Sequence, residues 1–120
     1  MTRLLGIAAA QVKPVSGDPE GSLAKLEEVS QEICTAVPWV DLICFPELFV
    51  TGMNQFVSSG PAPQDLAEPV PGPLTERFSH LAQQVGRWLV PGSFFERAGD
   101  AIYNSSLVFA PNGEIVAHYR

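Results

Sequence analysis

The order of apolar runs and amphipathic stretches predicts an α/β fold, a mixed sheet with helices on one face. Three observations carry this. Apolar runs open at Leu4, Val40 and Leu89, and a stretch of helical spacing separates each from the next. Pro111-Asn112-Gly113 then sits between two further strand-like segments, a hairpin signal. The chain has 120 residues, 46% of them hydrophobic, which suits one domain with a core.

Residues 3–12 read as the first strand, too apolar to face water on either side. Arg3 followed by Leu4 to Ala10 faintly resembles a signal peptide, but the apolar part is short and the charge single, so a buried strand explains it better. Asp18-Pro19-Glu20 marks a helix start: Asp as N-cap, Pro at the first helical position, a carboxylate at the positive end of the dipole. Leu23, Leu26, Val29 or Ser30, Ile33 and Val37 follow at helical spacing, so the first helix runs to about Ala36. Its solvated face carries Lys25 and the acidic cluster Glu27, Glu28 and Glu32. Pro38 ends it. Val40 to Phe45 is the second strand, parallel to the first by the crossover rule.

Residues 49–73 hold Pro61, Pro63, Pro69, Pro71 and Pro73 without a clear period. A long irregular loop in a compact domain is usually functional or disordered, and this one is expected to shape a site mouth. A surface excursion with one helical turn near Pro63 to Glu68 is the plainer reading. Gly72-Pro73 opens the second helix. Leu74, Phe78, Leu81, Val85 and Trp88 make its apolar stripe, and His80 beside the stripe reads as a surface or packing residue. Leu89 to Glu96 is the third strand. Asn104 to Ala110 and Glu114 to Tyr119 are the fourth and fifth.

Charge excludes some functions. The net charge is −6, and Arg3, Lys13, Lys25, Arg77, Arg87, Arg97 and Arg120 are scattered, so no basic stripe awaits nucleic acid. No apolar run approaches the roughly 18 residues of a membrane span. Cys34 and Cys44 lie in apolar surroundings and read as reduced packing residues of a cytoplasmic protein. Two histidines and two cysteines at no ligand spacing make no zinc site, and no Gly-rich phosphate turn is present, so no metal or cofactor is expected.

The chemistry centres on Leu42-Ile43-Cys44-Phe45-Pro46-Glu47-Leu48-Phe49. Pro46 has no N–H for a ladder, so the strand stops there and presents Glu47 at its end. Apolar neighbours on both sides are expected to desolvate this carboxylate and make it a usable proton acceptor near neutral pH. Asp41 belongs at the far end of the strand, about 20 Å away at ~3.3 Å per residue. Glu96 is the better second carboxylate, near Glu47 if the second and third strands are parallel neighbours. A charge at a strand-to-turn boundary explains Glu96 equally well. Strand alternation puts Cys44 on the opposite face from Glu47, and neither cysteine has the electropositive setting that activates a thiol. A lone base needs a nucleophile or a metal, and none is found.

Phe45-Pro46-Glu47-Leu48-Phe49 followed by Thr51-Gly52 resembles the first catalytic segment of the nitrilase, or carbon–nitrogen hydrolase, superfamily. Ala8-Ala9-Ala10-Gln11 with Gly17-Asp18 resembles that family's first strand and turn. Pro91 to Glu96 and Tyr103-Asn104-Ser105-Ser106 resemble its third strand and the approach to its fourth, and Pro111 to Arg120 the hairpin that leads to its catalytic lysine. The resemblance implies an α-β-β-α sandwich with a Glu–Lys–Cys site, in which the cysteine forms a thioester, the glutamate is general base and the lysine steadies the oxyanion. Glu47 is the member of that set that maps here. Residues 1–120 are then the N-terminal part of a single such domain, ending before the expected lysine and cysteine, and inactive alone. Met53 and Asn54 would help form the acyl pocket. The resemblance also implies a small-molecule amide, carbamoyl or nitrile substrate and a homo-oligomer.

Amide hydrolysis is the favoured reaction, with N-carbamoyl hydrolase, nitrilase and the glutaminase domain of a NAD synthetase as alternatives inside the family. A reading from another class is a non-catalytic interaction module that adds its last strand to a partner's sheet. The intact mass separates the two.

Overall fold

The computed structural model describes residues 2–52 and 60–120. The elements run β1 (Ile7–Ala9), α1 (Pro19–Ala36), β2 (Leu42–Cys44), α2 (Pro63–Leu66), α3 (Pro73–Val85), β3 (Trp88–Val90), β4 (Ser93–Ala98), β5 (Ala101–Phe109) and β6 (Ile115–Tyr119). β1, β2 and β3 are parallel neighbours, and β5 is antiparallel to β3, β4 and β6. The sheet is mixed, as the sequence predicts.

The helices form where their signals stand. The Asp18 carboxylate accepts the Gly21 N–H at 2.9 Å, and Pro19 fits the first turn because its missing N–H would have no helical partner. Leu23, Leu26 and Ser30 turn inward, and Ser30 Oγ donates to the Leu26 carbonyl at 2.8 Å. In α3, Phe78 lies against Phe94 and Phe109, with ring centroids 6.2 and 5.9 Å away. These residues, with Ile43, Leu81, Leu89 and Leu107, form the core between the helices and one sheet face. Arg77 ties α3 to α1 through Glu20 at 2.7 Å and Glu27 at 3.1 Å. Glu27 is therefore half-buried and paired rather than part of a wholly solvated acidic face.

Three expectations need correction. Gly86 takes a left-handed φ of 62° and its N–H caps the Ala82 carbonyl, so α3 stops at Val85 and Trp88 begins β3 instead of extending the helical stripe. The single third strand is two strands, broken at Pro91-Gly92. Leu89 pairs with Phe109 and Ser93 with Ser106 along β5. The first strand is short and not buried on both sides: Leu4, Leu5 and Ile7 are 88%, 59% and 56% exposed. Among the described residues nothing covers them.

The break at Pro91-Gly92 meets the end of β2. Phe45 N–H donates to the Val90 carbonyl at 2.8 Å, and the chain then turns at Pro46. Gly92 has φ 89°, and a β-carbon there would stand 2.0 Å from the Pro46 carbonyl oxygen. Only glycine satisfies both the angle and the space.

β6 is an edge strand, exposed at every residue. Its far end is held from the helix side by Glu96, which is 2% exposed. Glu96 accepts from Ser105 Oγ, from Arg120 Nη2 at 2.7 Å and from Arg120 Nε at 3.1 Å, and its Oε2 lies 2.8 Å from His118 Nε2. The Arg120 bonds foremost, with those of Ser105 and His118, outweigh burial and bring the Glu96 carboxyl from an ordinary 4.5 to about 2.

Gly92→Ala should cost more than about 2 kcal/mol in denaturant unfolding, and a cost under about 0.5 kcal/mol would show that Pro46 yields freely. The unfolded chain takes up the Glu96 proton at higher pH than the folded one, so this group stabilises fully above pH 4.5 and progressively less down to about 2. Glu96→Gln should therefore flatten the stability curve in that window. An unchanged slope in the variant would rule out Glu96 as its source.

Candidate active site

The site is built by a turn that buries its apolar residues and leaves its one carboxylate outside. Leu48, Phe49 and Val50 are all buried, and the Phe49 ring packs 5.2 Å from Phe45. To drive these side chains inward directly after Pro46, Leu48 adopts φ 49°, a left-handed conformation that costs a non-glycine residue about 1 kcal/mol or more. Two bonds hold it there: Leu48 N–H donates to Ser93 Oγ at 2.9 Å, and Gly52 N–H donates to the Leu48 carbonyl at 2.7 Å. Glu47, one residue earlier, is left on the side of the sheet free of helices.

There it lines a cleft of about 290 Å³ with Phe45, Val90, Gly92, Ser93, Asn104, Ser106 and Tyr119. Asn104 Nδ2 donates to Glu47 Oε1 at 2.6 Å. Ser106 Oγ donates to the Gly92 carbonyl at 3.1 Å, bracing the cleft floor. Asn104, Ser106 and Tyr119 share this face because side chains alternate along β5 and β6, with Ser106 opposite Tyr119.

The arrangement alters several expectations. Glu47 is exposed, so the desolvating setting is absent among the described residues: the turn sends its apolar neighbours to the core and the carboxylate the other way. Glu96 is not a second carboxylate for Glu47. It projects from the helix-covered face beside Ser105, whereas Glu47 meets Asn104 on the opposite face. Cys44 and Glu47 do not lie on opposite faces either, because β2 ends at Cys44 and the turn returns Glu47 to the open side. Cys44 lines a separate cleft with Ala9, Ala10, Gln11 and Pro46. Both cysteines are free thiols, and burial pushes that of Cys44 up, away from the reactive thiolate. Asp41 accepts the Gly6 N–H at 2.8 Å, at the other end of β2.

Met53 and Asn54, expected in the acyl pocket, lie outside the described residues. Among the described residues no group of three or more His, Cys, Asp or Glu could hold a metal ion, and no helix is long and apolar enough to cross a membrane. Sequence reasoning missed Asn104 as the partner of Glu47. The signal was its place in Tyr103-Asn104-Ser105-Ser106, but only the strand register brings it to the turn.

The family model for carbon-nitrogen hydrolases matches residues 6–120. The chain is 38% identical to the omega-amidase NIT2 of Xenopus tropicalis, over 97% of this chain and 38% of that protein. It is 33% identical to the deaminated glutathione amidase of Dictyostelium discoideum, over 100% of this chain and 42% of that one. It thus spans about two-fifths of the length of these relatives. The solved carbon-nitrogen hydrolase of Helicobacter pylori G27 superposes with a TM-score of 0.82 at 24% identity, over 97% of this chain and 39% of that one, which makes the fold part of an α-β-β-α sandwich. With its sheet order, its Phe45–Gly52 turn and a match over nearly its whole length, this chain belongs to the carbon–nitrogen hydrolase family.

Proposed function

We propose that the chain is the N-terminal part of a single carbon–nitrogen hydrolase domain whose full-length form cleaves a small amide through a cysteine thioester, with Glu47 as general base. The observation that carries this is the Glu47 carboxylate, held by Asn104 at the mouth of the cleft, in a chain matched by the family from residue 6 to residue 120.

In this reading a cysteine outside residues 1–120 attacks the amide carbonyl. Its proton passes to Glu47 as the S–C bond forms, and the same proton then goes to the departing nitrogen, which leaves as ammonia or an amine. Water, deprotonated by Glu47, attacks the thioester, the C–S bond breaks to release the acid, and Glu47 returns the proton to the cysteine sulfur. Neither Cys34 nor Cys44 serves as the nucleophile, for the reasons of setting already given.

The strand register supports a place for the oxyanion-stabilising lysine. Tyr119 faces Ser106, so Arg120 faces Ser105 and the next position along β6 would face Asn104. A lysine there would project onto the Glu47 side. An amide is preferred to a nitrile or carbamoyl substrate because the two relatives named above are amidases. Met53 and Asn54 are assigned to the acyl pocket on the family resemblance, and a homo-oligomer is assigned on the same ground.

In the full-length gene product, Glu47→Gln should slow hydrolysis of small ω-amides by at least ~10²-fold while the protein still folds. Hydrolysis at the parent rate would sink the proposal, and turnover of nitriles or N-carbamoyl compounds alone would move the substrate class. Asn104→Leu removes the donor to Glu47 without cutting the chain's pairing. It should lower kcat by about tenfold or more, and an unchanged kcat would show that Glu47 is positioned without it.

A further inference from the structure

We propose that Glu96 is a positioning residue for the Glu47 site: from the helix-covered side of the sheet it clamps Arg120 and His118, fixing the end of β6 whose next register position faces Asn104. The inference rests on the function proposed above and adds a residue that the reaction itself does not use.

A carboxylate 2% exposed is an expensive way to stabilise a fold. Desolvation opposes it, and an apolar residue of similar volume commonly serves as well or better. What the carboxylate does that an apolar residue cannot is hold two cationic or hydrogen-bonding side chains at a fixed angle. Arg120 reaches both of its oxygens, Nη2 to Oε1 at 2.7 Å and Nε to Oε2 at 3.1 Å, which is a bidentate fork. His118 Nε2 lies 2.8 Å from Oε2, and Ser105 Oγ donates to the same oxygen. The Arg120 guanidinium also stacks over the Tyr103 ring, 4.5 Å from its centroid.

β6 needs such a clamp. Every one of its residues is exposed, and Val116 and Tyr119 are 50% and 78% exposed, so packing does little to fix the strand. Its ladder to β5 sets the register over Ile115–Tyr119, and the clamp adds side-chain bonds at His118 and Arg120. His118 and Arg120 are alternate residues on the helix side, and the position after Arg120 returns to the open side. Whatever fixes Arg120 therefore fixes the side chain that follows it, opposite Asn104 and its 2.6 Å bond to Glu47. A shift there of about 1 Å is enough to cost catalysis up to 10²-fold.

The test uses the full-length protein with Glu96→Gln, Arg120→Gln and the double variant, measuring kcat and KM for a small ω-amide. Each single variant should lower kcat about 10- to 100-fold with KM within about threefold, because the clamp orients reacting groups and does not bind substrate. The double variant should be no worse than the more damaged single, since both break one clamp. Arg120→Lys keeps the charge but not the fork and should fall between. A folded Glu96→Gln protein with kcat within about twofold of the parent, or losses that multiply in the double variant, would overturn the proposal. If Glu96→Gln does not fold, Arg120→Gln decides, because it leaves Glu96 its bonds to Ser105 and His118. If the parent shows no Glu47-dependent hydrolysis, the proposed reaction fails first. The clamp is then read from amide hydrogen exchange over residues 115–120. Faster exchange in Arg120→Gln than in the parent supports it, and equal exchange overturns it.

Discussion

The contact between the Pro46 carbonyl and Gly92 sets the geometry of everything at the Glu47 end of the sheet. β2 must end, the chain must reverse, and Leu48 to Val50 must reach the core within a few residues. That is possible because the neighbouring chain bends away at Pro91-Gly92 and offers bare backbone where any side chain would collide. The same bend divides β3 from β4 and brings Ser93 Oγ under the Leu48 N–H. One close approach thus fixes the end of one strand, the break in another and the direction of the carboxylate between them. The left-handed Leu48 is held by the Ser93 Oγ bond to its N–H and the Gly52 N–H bond to its carbonyl, which is how local strain persists in a folded chain.

The two faces of the sheet are chemically different, and the difference organises the site. On the helix side Phe78, Phe94, Phe109 and Leu107 pack a continuous core, and the one carboxylate admitted there, Glu96, is fully supplied with donors. On the open side the polar residues Asn104 and Ser106 stand beside Glu47, with Tyr119 at the rim. Strand alternation alone sorts them. Adjacent residues of one strand, Asn104 and Ser105, serve the two carboxylates from opposite faces. The sheet is thus a thin wall between an exposed carboxylate available to chemistry and a buried one committed to structure.

Much of this was legible in the sequence because local signals agreed with the final packing. The Asp18-Pro19 cap, the Leu23–Leu26 stripe, the proline after Phe45 and the Pro111–Gly113 hairpin each carry their own physics over a few residues. What was not legible depended on contacts distant in sequence. Trp88 continues the α3 periodicity, yet Gly86 ends the helix because a left-handed residue was available as a cap. Glu96 reads as a strand end in the sequence, and only the pairing of β4 with β5 shows that it stands inside β4 and faces the other way. Asn104 and Glu47 are 57 residues apart, and no local pattern joins them. Glu47 is exposed for a related reason: the left-handed turn at Leu48 sends Leu48, Phe49 and Val50 to the core and leaves the carboxylate outside.

The exposed side of β1–β3 carries apolar residues. Ile7 and Trp88 are 56% and 40% exposed, while the helix-facing Ile43 and Leu89 are fully buried. In an α-β-β-α sandwich the side of a sheet away from its helices is where the second sheet packs, so apolar residues there fit the fold that the solved relatives share. Glu47 lies on that side, at the end of the layer and beside its polar corner. Its position is fixed within these residues by the turn at Pro46 and Leu48 and by the Asn104 bond at 2.6 Å. The turn therefore sets where the Glu47 carboxylate stands, independently of what packs against this face.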